Sequence, residues 1–136
     1  MRTVLSRLLP GSDLKLGILE LCDQENIKTG VIVSAVGSLS EASLRIADGE
    51  TVITAQGPFE LTSLSGTISG NHAHLHCSLF DEAMNTIGGH LMKGCLVNTT
   101  MEIAILDLSD DYASTREMDQ STGYDELVVT PIKQKL

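Results

Sequence analysis

The sequence predicts an α+β domain dominated by antiparallel β-sheet, with one or two helices packed against it. Three observations carry that expectation. Segments of aliphatic and β-branched residues recur along most of the chain, broken by turn signals at Asp48-Gly49, Gly57-Pro58, Gly70-Asn71 and Gly88-Gly89. Helical spacing is clear in one stretch only, directly after Pro10-Gly11. The 136 residues are 42% hydrophobic and 20% charged, a globular composition with enough length for one real core.

The opening TVLSRLL reads as a strand that Pro10 and Gly11 stop. Ser12 or Asp13 can then cap a helix in which Leu14, Ile18, Leu21 and Cys22 form one apolar stripe, with Asp23, Glu25 and Lys28 left to solvent. KTGVIVSAVG follows as a run of small and β-branched residues, the pattern of a central strand buried on both faces. Shorter segments then alternate with turns: SLRIAD, TVITAQ, ELTSLSGTI, AHLHCSLF, GHLMKGCLV and TTMEIAILDL. After Leu108 the pattern dissolves into a polar, acidic loop until YDELVVTPI, a last edge strand. No repeat or linker marks an internal boundary, so residues 1–136 are expected to form one domain, with its core at about 4–108.

Charge narrows the function classes. The net charge is −9, which opposes the phosphate attraction that underlies non-specific DNA affinity. Most of the excess lies in residues 107–126, which hold seven acids against Arg116 alone. Such a run reads as a solvated loop. Two Tyr, two Phe and no Trp leave few rings for stacking on bases. Cys22, Cys77 and Cys95 are odd in number and lack CxxC pairing, so a reducing cytoplasm is the expected location. The N-terminal apolar stretch is broken by Ser6, Pro10, Gly11, Ser12 and Asp13 before a signal-peptide core accumulates, and no apolar run reaches membrane-spanning length. A soluble protein is expected.

The strongest chemical signal is the clustering of all four histidines, His72, His74, His76 and His90, within nineteen residues. In a strand, alternate side chains share a face, so NHAHLHC sets His72, His74 and His76 on one side and Ala73, Leu75 and Cys77 on the other. DEAMNTIGG has the length of a hairpin that returns His90 beside His76, and Gly88-Gly89 allow close backbone approach there. Three imidazoles with one open position are the arrangement of a catalytic divalent-metal site, and the ligand type favours zinc. His72 is auxiliary, a turn residue or a supporting group. Glu102 and Glu60 are candidates for a fourth ligand or a general base, and for each a structural carboxylate is the alternative. Arg45, whose side chain should face away from those of Leu44 and Ile46, is a candidate anchor for a substrate carboxylate or a member of an intersubunit salt bridge.

LLPGSDL, VSAVGSLSEASLR, GPFELTSLSGTIS, HLH, GGHL and TTMEI, in that order over about residues 4–108, resemble the plants-and-prokaryotes-conserved (PPC) domain. The resemblance implies a strongly curved sheet, a homotrimer, and a metal site built from the HxH and GGH histidines, here His74, His76 and His90. It also implies a distant likeness in fold to acetolactate decarboxylase, whose zinc is held by three histidines. The family's customary label is DNA-binding, and its plant members pair the domain with AT-hooks. This chain lacks the Arg-Gly-Arg-Pro core that such a hook inserts into the minor groove. Three functions are therefore weighed: a homotrimeric metal-binding module with a regulatory or DNA-associated role, a zinc enzyme acting on a small carbonyl or carboxylate substrate at the metal, and a direct DNA binder.

Overall fold

In a computed structural model describing residues 1–133, the chain runs β1 (Arg2–Leu8), α1 (Leu14–Gln24), β2 (Thr29–Arg45), β3 (Val52–Ser69), β4 (His72–Phe80), β5 (Thr86–Leu91), β6 (Leu96–Asp107), β7 (Tyr112–Asp119) and β8 (Tyr124–Pro131). Of the expected span 1–136, residues 134–136 lie outside the described residues. No helix described is long and apolar enough to cross a membrane.

The expected α+β architecture is present, with a single helix. Six strands form an antiparallel sheet in the order β1-β6-β2-β3-β4-β5. The sheet curls until β5 meets the end of β2, where Leu44 pairs with Leu91 and Arg45 with His90. β7 and β8 form a separate two-stranded hairpin. α1 begins at Asp13, whose carboxylate accepts from the Leu16 N–H at 3.0 Å and from the Gly94 N–H at 2.7 Å. One side chain thus caps the helix and ties it to the β5–β6 turn. Leu14, Ile18, Leu21 and Cys22 of the helix are buried, and they join Leu39, Leu75, Leu79, Leu91, Met101, Ile103 and Ile105 in one core.

Several sequence expectations are corrected. Only Ser43-Leu44-Arg45 of SLRIAD is strand, the end of the continuous seventeen-residue β2, with Ala47-Asp48 in the turn that follows, and Gly57-Pro58 lies within β3 instead of ending a strand. Gly88-Gly89 lies inside β5; the preceding turn is made at Asp81, whose carboxylate accepts from the N–H groups of Ala83 and Asn85, both at 2.9 Å. GHLMKGCLV is cut in two, because the chain turns between Leu91 and Leu96. β2 is central, pairing with both β3 and β6, yet it is not buried on both faces: Val33 is 57% and Val36 54% exposed. An apolar run reports that a face needs cover, not which molecule covers it. The acidic segment is not a loop but β7 and the turn into β8, paired from Tyr112–Pro131 to Asp119–Tyr124.

Candidate metal centre

Strand register builds the site. On β4, Ala73, Leu75 and Cys77 are buried while His72, His74 and His76 face outward. β5 lies antiparallel beside it with His76 opposite His90, and β2 continues the row with Arg45 opposite His90. Two glycines make this spacing possible. A Cβ on Gly66, whose φ is +144°, would fall 1.9 Å from the His74 carbonyl oxygen. One on Gly89 would fall 2.8 Å from the Arg45 carbonyl oxygen. Both positions bring backbones closer than a side chain permits.

The imidazoles of His74, His76 and His90 converge, each offering a nitrogen within 4.8 Å of the others. Their ring centroids are 5.1 Å apart for His74–His76 and 5.3 Å for each of the other pairs. Burial, with Arg45 and the other histidines nearby, pushes His90 down to about 4. Burial and the adjacent His76 also lower His74. Both rings are therefore neutral at neutral pH, as metal ligation requires. His90 Nδ1 is buried with no hydrogen-bond partner. A buried ring nitrogen without a partner, on an imidazole that converges with two others, leaves room for a metal ion in the hydrogen-bonding of the site.

His72 stays outside the triad, on the rim of a cavity of about 470 Å³ that Lys15, Arg45 and Arg116 also line. Burial and the cations Arg116 and Lys15 lower its pKa. Arg45 lies at the site, on the row of His90 and His76. Glu60 and Glu102 do not. Glu60 pairs with Phe80 at the far end of β4 and lines a separate cavity with Ser38 and Met84. Glu102 lies on β6 between Arg7 of β1 and Val36 of β2. Instead, the hairpin brings Asp125 and Glu126 to the cavity, together with Tyr124 and Arg116. Reading 107–126 as a solvated loop hid these residues. The signal present was the turn at Ser121-Thr122-Gly123 directly ahead of YDELVVTPI; YASTREMD before it has no apolar/polar alternation to mark it as the partner strand. Cys22, Cys77 and Cys95 are free and buried, and burial raises all three thiols, to about 11 for Cys22 and about 12 for Cys77. They serve as small core side chains.

Residues 1–109 match the Plants and Prokaryotes Conserved (PCC) domain. The chain belongs to this family. The chain is similar to a Salmonella cholerae-suis protein of known structure, 34% identical, with a TM-score of 0.91 over 96% of this chain and 94% of that one. A metal-containing protein from Archaeoglobus fulgidus is 28% identical, with a TM-score of 0.79 and 94% of each chain covered. Among curated proteins, the bifunctional protein GlmU of Synechococcus sp. (strain JA-2-3B'a(2-13)) is 42% identical over 93% of this chain. The chain spans only 20% of the length of the curated relatives it matches. The PCC match ends before β7, so the histidines, Lys15 and Arg45 lie inside the matched region and Arg116, Asp125 and Glu126 of the rim lie beyond it.

Proposed function

We propose that this PCC domain is a homotrimeric metal-binding module with a regulatory role, working in a reducing cytoplasm and holding a divalent metal, zinc, on His74, His76 and His90. The observation that carries the metal is the convergence of three imidazole nitrogens within 4.8 Å. The described grouping contains no carboxylate, so a fourth coordination position is open, as in sites where zinc meets an exogenous ligand. Bound zinc would supply Lewis acidity there. Metal analysis of tag-free protein should give one zinc per chain, and a His74→Ala, His76→Ala double variant should lose it. Equal, sub-stoichiometric metal in both would overturn the site.

The trimer is supported by the uncovered face of β2 and β1, where Leu5 is 77% exposed alongside Val33 and Val36. Three strongly exposed aliphatic side chains on one face of a sheet favour closed self-association. Light scattering should report three copies of the 14.5 kDa chain, and a Val33→Asp, Val36→Asp variant should run smaller. A wild-type monomer at micromolar concentration would refute the trimer.

A second reading, a zinc enzyme acting on a small carbonyl or carboxylate substrate, is favoured by the cations around the open position and is taken up below. Direct contact with DNA is not favoured, given the −9 charge. A titration at low salt, where phosphate contacts are strongest, should show no binding.

A further inference from the structure

Three of the chain's nine basic residues, Lys15, Arg45 and Arg116, line the cavity over His74 and His90. They arrive from α1, β2 and β7, so the fold gathers them from three separate elements. None makes an ion pair among the described residues. Arg116 donates to the Thr67 hydroxyl at 3.4 Å, on the β3 residue that pairs with His74. The Nε–H groups of both Arg45 and Arg116 are buried without any acceptor.

A buried guanidinium N–H left unpaired is costly, and two at one cavity point to a missing acceptor. The acids at the rim do not fill that role. Asp125 and Glu126 line the cavity, and Glu126 accepts from the Thr122 hydroxyl at 3.1 Å. Even with both ionised, three cations and a divalent metal leave the cavity positive, an inversion of the chain's acidic balance. The planar fork of arginine matches a carboxylate, and the volume suits a small molecule.

We infer that the cavity is a binding site for a small dicarboxylate anion, held by Arg45 and Arg116 beside the metal, with Lys15 as a further counter-charge. The inference rests on the metal reading above, which gives the site its position and part of its charge. It goes further in assigning the ligand's class and in making Arg116 of the hairpin a binding residue.

Malonate is the probe, with malonamide as its neutral counterpart and inorganic phosphate as a competing anion. Calorimetry on zinc-loaded protein should detect malonate and not malonamide. Affinity should fall about tenfold or more in Arg45→Gln and in Arg116→Gln, as expected for loss of a charged hydrogen bond. Zinc content and melting temperature, measured on each variant, separate loss of binding from loss of fold. The same titration is repeated on chelator-treated protein, followed as malonate-induced thermal stabilisation. Zinc missing from wild type would overturn the metal reading alone; stabilisation abolished by the arginine substitutions would still uphold the anion site. Malonate binding that is absent, unchanged in both variants, or no stronger than phosphate binding would overturn the inference.

Discussion

β6 buries Val97, Met101, Ile103, Ile105 and Asp107, whereas no residue of β7 or β8 is buried. Sheet and hairpin both line the site cavity, the sheet supplying its histidine floor and the hairpin Arg116, Asp125 and Glu126 of its charged rim. The hairpin is attached by a few contacts, among them the Ser114–Thr29 hydroxyl pair at 2.8 Å and Arg116 on Thr67, and its Tyr112, Leu127 and Val129 line an apolar cavity that Thr29, Gly30, Val31, Thr67 and Ile68 of the sheet close on the other side. The buried core thus lies in the sheet and helix, and the hairpin adds charge at the edge of the cavity without adding to that core. A floor anchored in the core holds its spacing, while a lightly attached rim can vary in charge without disturbing it.

The sharpest way to break this contrast is to make the same kind of cut on each side of it. Ile103→Ala removes a side chain with no exposed surface and should cost about 2–5 kcal/mol. Leu127→Ala, at a residue 37% exposed, should cost less than about 1 kcal/mol. Urea unfolding of the two variants provides the measurement. Comparable losses would mean that the hairpin belongs to the core's cooperative unit and that the division is false.

A smaller effect tests how the end of the sheet is held near the hairpin. Asp107, the last residue of β6, accepts from the Arg2 side chain at 2.9 Å and from the Ser109 hydroxyl at 2.5 Å. Burial raises its pKa, but the Ser109 and Arg2 bonds outweigh it, and the carboxyl lies below its ordinary value of 3.8. A carboxyl depressed by folding contributes stability that is complete above the unfolded value and is lost as pH falls through the folded one. Asp107→Asn should therefore cost about 1–2 kcal/mol at neutral pH, and the gap from wild type should close as pH drops below 3.8. Thermal melts across that range decide it; a gap independent of pH would mean the carboxylate's charge contributes nothing.

Much of this division was legible in the sequence, for a physical reason. Alternation is a local signal, so the outward His72, His74 and His76 and the inward Leu75 and Cys77 could be assigned before any fold was known. The Asp13 cap and the helix stripe are equally local. Strand lengths were not legible, because Gly57-Pro58 and Gly88-Gly89 carry turn chemistry, while Gln56 and Phe59 pair with β2 and Gly88 and Gly89 themselves pair with β4, carrying each strand through. Nor was the β2–β5 closure, a contact between residues over forty positions apart that puts Arg45 beside His90. The rim escaped because charge in a half-exposed hairpin reads the same as charge in a loop until the partner strand is known.

The smallest expected effect concerns the carboxylates that sequence reasoning had placed near the metal. Glu60 and Glu102 are both exposed, on strands whose register puts them away from the triad. Glu60→Gln and Glu102→Gln should each leave zinc stoichiometry unchanged and alter stability by no more than about 0.5 kcal/mol. Of the two, Glu102 carries the more informative result. It sits beside Val36 on the uncovered face, across from Arg7, whose guanidinium donates to the Thr100 hydroxyl at 2.8 Å. If copies of the chain associate through that face, Glu102→Gln should shift the oligomer's dissociation midpoint in dilution experiments while its zinc content stays at the wild-type level. A change in zinc content would instead tie Glu102 to the metal, against its position in the sheet.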